Sequence, residues 1–451
     1  MCKFFIGKIG IIILICFAVL GFGISVLFAA TWNLEVIDSE GEPGDYGTSL
    51  AADSGGVFHV AYYEGSNGVL KHAWKDGANW QMEVVDSSPS AGKYPSLAVD
   101  GNDALHIAYY DETNGALKYA HNDSKTWQIE TIDSGSDVGR YTSIAIGKDD
   151  KPHISYFAGW PDWDLRYAYS DGTDWHVAAA DTSSAHTGMY SSLALDDSDL
   201  PHISYLDDTN GALKYAYYNG DEWSVETAFS QGGLFTSIAL NSQGFPHISH
   251  CNSNAIQLKL KYTYKDASGW HTENVAPRGD YTSIKLDGAD RPHISFHAMA
   301  GEDAKYAFKN GTAWTIEAVD SQGATGEYTS LVLDSNDNPS FTFYDFQDHS
   351  LVIATRSGVT PTTTTTTTTH TTTTTTTATS TTSTTTSTTA SSTTTTQPTD
   401  DDASDDDSAE IDDDSASDDD TFIDDDTSDD DTSASDDDTA MEGKSSAGCG
   451  C

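Results

Sequence analysis

The sequence predicts an all-β protein: a seven-bladed β-propeller of four-stranded antiparallel blades, closed by its N-terminal strand and followed by a disordered C-terminal tail. Three observations predict it. One phrase recurs from Trp32 to Arg356, anchored at Trp32, Trp80, Trp127, Trp175, Trp223, Trp270 and Trp314, and its period of roughly 47 residues is that of a solenoid or propeller. Each copy contains four short runs of period-two, β-branched or aromatic residues bounded by Gly, Asn, Asp and Pro, which read as four strands. The two ends are incomplete in complementary ways. The first copy is only the Trp strand, residues 32–38, and the last, after residues 351–356, lacks one. The opening strand can therefore complete the last sheet, leaving only short blade edges exposed.

Within each copy the phrase Y-x-S-L-A-L-D supplies the innermost strand, P-H-I-S-Y-x-D the second, L-K-Y-A the third and W-x-x-E-x-V-D the outer one. In the second complete unit these are residues 94–100, 104–111, 116–121 and 127–133. Asn-Gly at Asn114-Gly115 and Asn210-Gly211 supplies the positive φ of a tight reversal. Asp76-Gly77, Asp171-Gly172, Asn219-Gly220 and Asn310-Gly311 do the same ahead of a Trp. Both faces of a blade are covered by its neighbours, which explains Leu, Ile or Val beside Ser and Ala. Each Trp is expected to pack in a groove between blades, contributing roughly 2 to 3 kcal/mol by burial.

The repeats occupy residues 31–358 of 451, followed by a Thr/Ser-rich stretch at 359–399 and an Asp-rich stretch at 400–451 that ends in Cys449-Gly450-Cys451. Nearly half of the net charge of −48 lies in the last segment. The Thr-rich composition matches an extended, O-glycosylated stalk, and the Asp triplets predict a self-repelling disordered tail. No basic stripe exists to neutralise phosphates, which argues against a nucleic-acid partner. Cys251 is the one cysteine of the repeat body, so neither an internal disulfide nor a Cys-type zinc site is available there. Residues 1–30, with Lys3 and Lys8 before an apolar run, read as a signal peptide or an N-terminal membrane anchor. The body is expected outside the cell or on its surface, with membrane or cell-envelope attachment as one option.

The turn Ser170-Asp171-Gly172-Thr173-Asp174-Trp175 resembles a degenerate Asp-box, the S-x-D-x-G-x-T-W turn between the third and fourth strands of sialidase-like propellers. The resemblance covers the repeat body in its organisation, although the motif is shortened and its leading Ser is mostly missing. It implies the superfamily more than the enzyme. Sialidases clamp a substrate carboxylate with three Arg, because guanidinium forks match carboxylates. Of Arg140, Arg166, Arg278, Arg291 and Arg356, only Arg140 and Arg278 precede innermost strands on the expected ligand face, so no clamp is assembled.

His59, His106, His153, His202, His247 and His293 share one register at the start of second strands. Imidazole is a metal ligand, but radial placement separates these rings, and they read as structural groups bonded to adjacent strands. Asp53, Asp100, Asp196, Asp287 and Asp334 end first strands before short turns. Such loops suit Ca2+, yet Asx-turn chemistry accounts for them without an ion. No other cofactor is indicated.

Departures from the repeat are the better guide to function, because symmetry serves folding. Blade 3 carries Trp160 and Trp163 in a loop where others carry a short Asn-Gly turn, and sugars stack their C–H faces on such rings. Blade 5 carries His250 and Cys251, and short entry loops precede Leu234 and Gly279. The candidate ligand-binding residues are therefore Trp160, Trp163, Arg140, His186, Asp207, His250, Arg278 and His297, with no catalytic residue assigned. The sequence favours a monomeric, exported, surface-displayed propeller that binds glycan or a surface protein without catalysis. A sialidase-like glycoside hydrolase and a structural adhesion or spacer element are the alternatives.

Overall fold

The computed structural model describes residues 31–122, 126–183, 186–252 and 258–356. The expected leader or anchor, stalk and acidic tail lie outside them. The described residues form seven four-stranded antiparallel sheets and no helix. Blades 1 to 6 each use four consecutive strands, beginning for blade 1 with Pro43–Ala52, Phe58–Glu64, Val69–Asp76 and Asn79–Asp86. Blade 7 is built from Thr325–Leu333, Pro339–Asp345 and Ser350–Arg356, and its outer strand is Trp32–Asp38 from the other end of the repeat array. Trp32 pairs with Arg356 and Val36 with Val352. The expected closure is thus present.

The recurring letters of the phrase mostly describe contacts between blades. The Ser of each innermost strand accepts a hydrogen bond from a backbone N–H of the next blade: Leu97 to Ser49, Ile144 to Ser96, Leu193 to Ser143, Ile238 to Ser192, Ile284 to Ser237, Leu331 to Ser283 and, across the closure, Leu50 to Ser330. The circuit is unbroken. Its physical basis is that the first strand of a blade has no sheet neighbour towards the axis, so its amides need side-chain acceptors. In every blade but the second, where Pro95 stands, the Thr or Ser before that Ser donates to a backbone carbonyl of the previous blade, as Thr236 does to Tyr190 and Thr329 to Tyr281.

The outer strands repeat the logic. Trp127 packs edge-on to His72, and Trp175, Trp223, Trp270 and Trp314 pack likewise on Tyr119, Tyr167, Tyr215 and Tyr262. The indole N–H of Trp127 donates to Glu83 and that of Trp270 to Glu226, each the Glu of the preceding copy. The W-x-x-E spacing therefore joins one outer strand to the next. The histidines of the common register are also structural: Nδ1 of His106 lies 2.5 Å from the Tyr119 hydroxyl, and His153, His202, His247 and His293 meet Tyr167, Tyr215, Tyr262 and Tyr306. Burial lowers the pKa of His153, His202, His247 and His293. The Asp residues ending first strands accept bonds from their own turns, as Asp100 does from Asn102 and Ala104 and Asp334 from Asn336 and Asn338. Among the described residues no cluster of three or more His, Cys, Asp or Glu is arranged to hold a metal.

Candidate functional site

The central channel opens on the face where outer strands lead into innermost ones, and its mouth is ringed by one aromatic from every blade: Tyr46, Tyr94, Tyr141, Tyr190, Phe235, Tyr281 and Tyr328. All seven lie in the left-handed region, with φ from 46° at Tyr281 to 61° at Tyr46. An aromatic residue in that conformation costs about 1 to 2 kcal/mol. Just there the pairing of first and second strands slips, for example between Arg140 and Ser143 and between Asp280 and Ser283. This bulge turns each ring towards the axis instead of into the blade. Neighbouring rings touch, at 4.7 Å for Tyr94–Tyr141, 4.6 Å for Tyr141–Tyr190 and 4.5 Å for Tyr281–Tyr328. They surround a cavity of about 200 Å³. Tyr46 is exposed and the other six are half-buried. Burial raises the phenol pKa of Tyr94, Tyr141, Tyr281 and Tyr328, so these groups stay protonated hydrogen-bonding hydroxyls.

The residue preceding each aromatic forms the rim, and here the seven copies differ. Blades 2 and 3 supply Lys93 and Arg140, blades 4 and 5 supply Met189 and Leu234, and blades 6, 7 and 1 supply Asp280, Glu327 and Asp45. Lys93 Nζ lies 4.1 Å from the Tyr46 ring centroid and 2.7 Å from Glu112. Arg140 lies 5.5 Å from the Tyr110 centroid and 2.8 Å from Asp137. On the acidic side Asp280 meets His297 at 2.7 Å. Burial raises the pKa of Glu327, with Asp280 and Asp45 adding to the rise and His297 opposing it. Burial also raises that of Asp45, against the backbone N–H of Tyr46.

The sequence-predicted residues scatter over this face. Trp160 is 63% exposed. Trp163 stacks on His186 with centroids 4.1 Å apart and planes at 15°, so these two meet as a pair joining the entry loop of blade 4 to the long loop of blade 3. Arg278 is exposed, Arg140 belongs to the rim, and His297 is buried beneath it against Asp280. Two expectations are corrected. Asp207, 1% exposed, spends both carboxylate oxygens on the N–H and Nδ2 of Asn210, holding its own turn. His250 is wholly buried, with Nε2 2.8 Å from the Thr263 hydroxyl and Nδ1 3.2 Å from the Cys251 carbonyl. Burial lowers its pKa to about 4.

The reason His250 is inside lies in its register. It occupies the place of Tyr62, Tyr109, Tyr156 and Tyr205, whose hydroxyls donate to Asp38, Asp86, Asp133 and Asp181 of the preceding outer strand. In blade 5 that partner position is Phe229, and the imidazole packs 5.8 Å from it. The aromatic mouth, in contrast, was not singled out by sequence reasoning. Its signal was available: the first letter of the innermost phrase is Tyr or Phe in every copy although nothing in a buried strand requires it.

No protein-family model and no curated protein matches the chain. Several solved structures resemble it. A protein of unknown function from Dyadobacter fermentans is 11% identical over 72% of this chain and 97% of its own, with a TM-score of 0.47. A polysaccharide lyase described as an ulvan lyase, solved bound to a GlcA(1-4)Rha3S unit, is 14% identical over 67% of this chain and 90% of its own, with a TM-score of 0.50. The Aleuria aurantia lectin, a six-bladed β-propeller described by its fucose recognition, is 15% identical over 65% of this chain and 96% of its own, with a TM-score of 0.42. At 14% identity the likeness to the lyase, with its TM-score of 0.50, is one of fold alone.

Proposed function

We propose that this protein is a non-catalytic glycan-binding propeller that receives its ligand at the aromatic mouth of the channel. The supporting observation is the set of seven half-exposed aromatic rings held in an unfavourable backbone conformation. Strain that folding does not require accumulates where a ligand is engaged, and flat rings beside protonated phenols suit the mixed apolar and hydroxyl surface of a sugar. Trp160 and the Trp163–His186 stack extend that surface outward, and Arg140 and Arg278 add cationic groups to it. The same reading takes residues 1–30 as export signal or anchor, residues 31–358 as a monomeric propeller, residues 359–399 as a stalk and residues 400–451 as an acidic tail, so that the mouth is displayed at the cell surface. A surface glycoprotein would present the same chemistry as a free glycan. Kinship with Asp-box propellers fits the turn at Asp171, whose carboxylate accepts the N–H groups of Thr173 and Asp174.

A glycan-array screen of the purified protein, with Tyr141→Ala, Tyr281→Ala and Trp160→Ala alongside, tests this. Binding that falls at least about tenfold in the mouth variants, the loss of roughly 1.4 kcal/mol of contact, supports the reading. An array without binders, or binding indifferent to both tyrosines, removes it.

One observation favours a second reading, a glycoside hydrolase. Burial raises the pKa of Glu327, and the charges of Asp280 and Asp45 add to the rise while His297 opposes it; carboxyl groups set apart by their environments are what glycoside hydrolysis needs. Turnover of bound sugars by the wild type, abolished in Glu327→Gln while binding persists, would replace the lectin-like reading with this one.

A further inference from the structure

Along the innermost strands, two positions after the Ser that closes the wall, stand Ala51, Ala98, Ala145, Ala194, Ala239 and Val332, each partly exposed. Blade 6 places Lys285 there. The side chain is exposed to water, yet protein surrounds it closely enough that burial lowers its pKa from the usual 10.5, and no neighbouring charge contributes to that shift. On an innermost strand both conditions are met by a side chain that faces the channel. Among the described residues Lys285 has neither a hydrogen-bond acceptor nor a carboxylate partner, in contrast to Lys71, Lys118, Lys265 and Lys309, which pair with Asp38, Asp86, Glu226 and Glu273. A desolvated ammonium without a counter-charge is unfavourable, and a sequence that keeps Ala at five equivalent places shows that the fold does not call for it.

We propose that Lys285 makes the channel an anion-binding site, in which the ammonium is neutralised by a small oxyanion entering along the axis. A free inorganic ion and the carboxylate of an acidic sugar offer the same chemistry. The equivalent positions of the other blades carry Ala or Val, and no neighbouring charge acts on the amine, so an anion there meets no competing acid. The site is independent of the glycan reading, since an inorganic ion needs none of the mouth aromatics.

The test uses the full chain, with inorganic phosphate and glucuronate as separate probes. Trace acetylation of lysines near pH 8, read residue by residue by mass spectrometry, reports how far Lys285 is protonated and shielded. Lys285 should lose at least about 3-fold in rate when a probe exceeds twice its Kd, while Lys148, paired at the exposed surface with Asp197, keeps its rate. Protection by phosphate alone identifies a free ion as ligand, and protection by glucuronate alone identifies an acidic sugar. Calorimetric binding of the protecting anion should vanish in Lys285→Ala, a substitution that restores the residue most other blades carry. Absence of protection by either anion, or binding heat that survives Lys285→Ala, overturns the proposal.

Discussion

Two rings of residues lie one above the other on the innermost strands, and they differ in kind. The lower ring, Ser49, Ser96, Ser143, Ser192, Ser237, Ser283 and Ser330, is the same in every blade and makes the same bond to the next. The upper one, the rim before each aromatic, runs from Lys93 and Arg140 through Met189 and Leu234 to Asp280, Glu327 and Asp45. Identical residues are needed where each blade must solve the same backbone problem. Where no such problem exists, the copies are free to diverge, and their differences give the mouth a basic, an apolar and an acidic arc. The aromatics between the two rings combine both features, being repeated like the wall and strained like a site.

Breaking the wall side of this contrast should have the largest effects. Phe341, fully buried and 5.4 Å from Trp32 of the closing strand, should lose about 3 to 5 kcal/mol as Phe341→Ala in denaturant unfolding. Tyr141→Ala at the mouth should lose far less, because its ring is half-exposed. Acid is the next largest lever. His59, His153, His202, His247 and His293 have folded pKa values below the ordinary 6.5. The unfolded chain therefore takes protons first, so stability is full above pH 6.5 and falls as pH drops towards about 4, the value of His247. Calorimetry across that window should show a falling Tm, and a flat Tm would contradict the buried neutral imidazoles.

A smaller effect is expected at one link of the Ser circuit. Ser283→Ala leaves the Leu331 N–H without its acceptor and should cost about 1 to 3 kcal/mol, measurable as a shift in denaturation midpoint. The smallest concerns the rim and has the opposite sign. Glu327 has a folded pKa above its ordinary 4.5, so its ionisation weakens the fold as pH rises from 4.5 through the raised value. Glu327→Gln should raise Tm slightly at pH 7 and leave it unchanged below pH 4.5. A Tm that falls at pH 7 would mean that the carboxylate is held by favourable partners and that the acidic arc is structural.

Much of the fold was legible because the repeat states its own connections. The missing Trp strand of the last copy and the solitary one of the first belong to a single sheet, and Asn-Gly turns fall where positive φ is required, as at Gly115 and Gly211 with φ of 59° each. The site was legible only in part. Departure from the repeat pointed to Trp160 and Trp163, of which the structure leaves the first exposed and stacks the second on His186. It misled at His250, since that departure is absorbed inside the protein by Phe229. It passed over the tyrosines, whose regularity made them look like core, and Lys285, a single changed letter in a regular strand.

The amino-acid sequence by itself determined the number of blades, the order of strands within each and the way the ring closes, because these depend on local periodicity, turn chemistry and a count of complete modules. Which repeated side chains face the axis, and whether an odd residue is buried or presented, was decided only by the tertiary structure. The bulge at the head of each innermost strand rotates one aromatic out of the period-two pattern. The neighbouring blade decides whether a replaced partner, as at His250 and Phe229, closes over the change or leaves it open to a ligand.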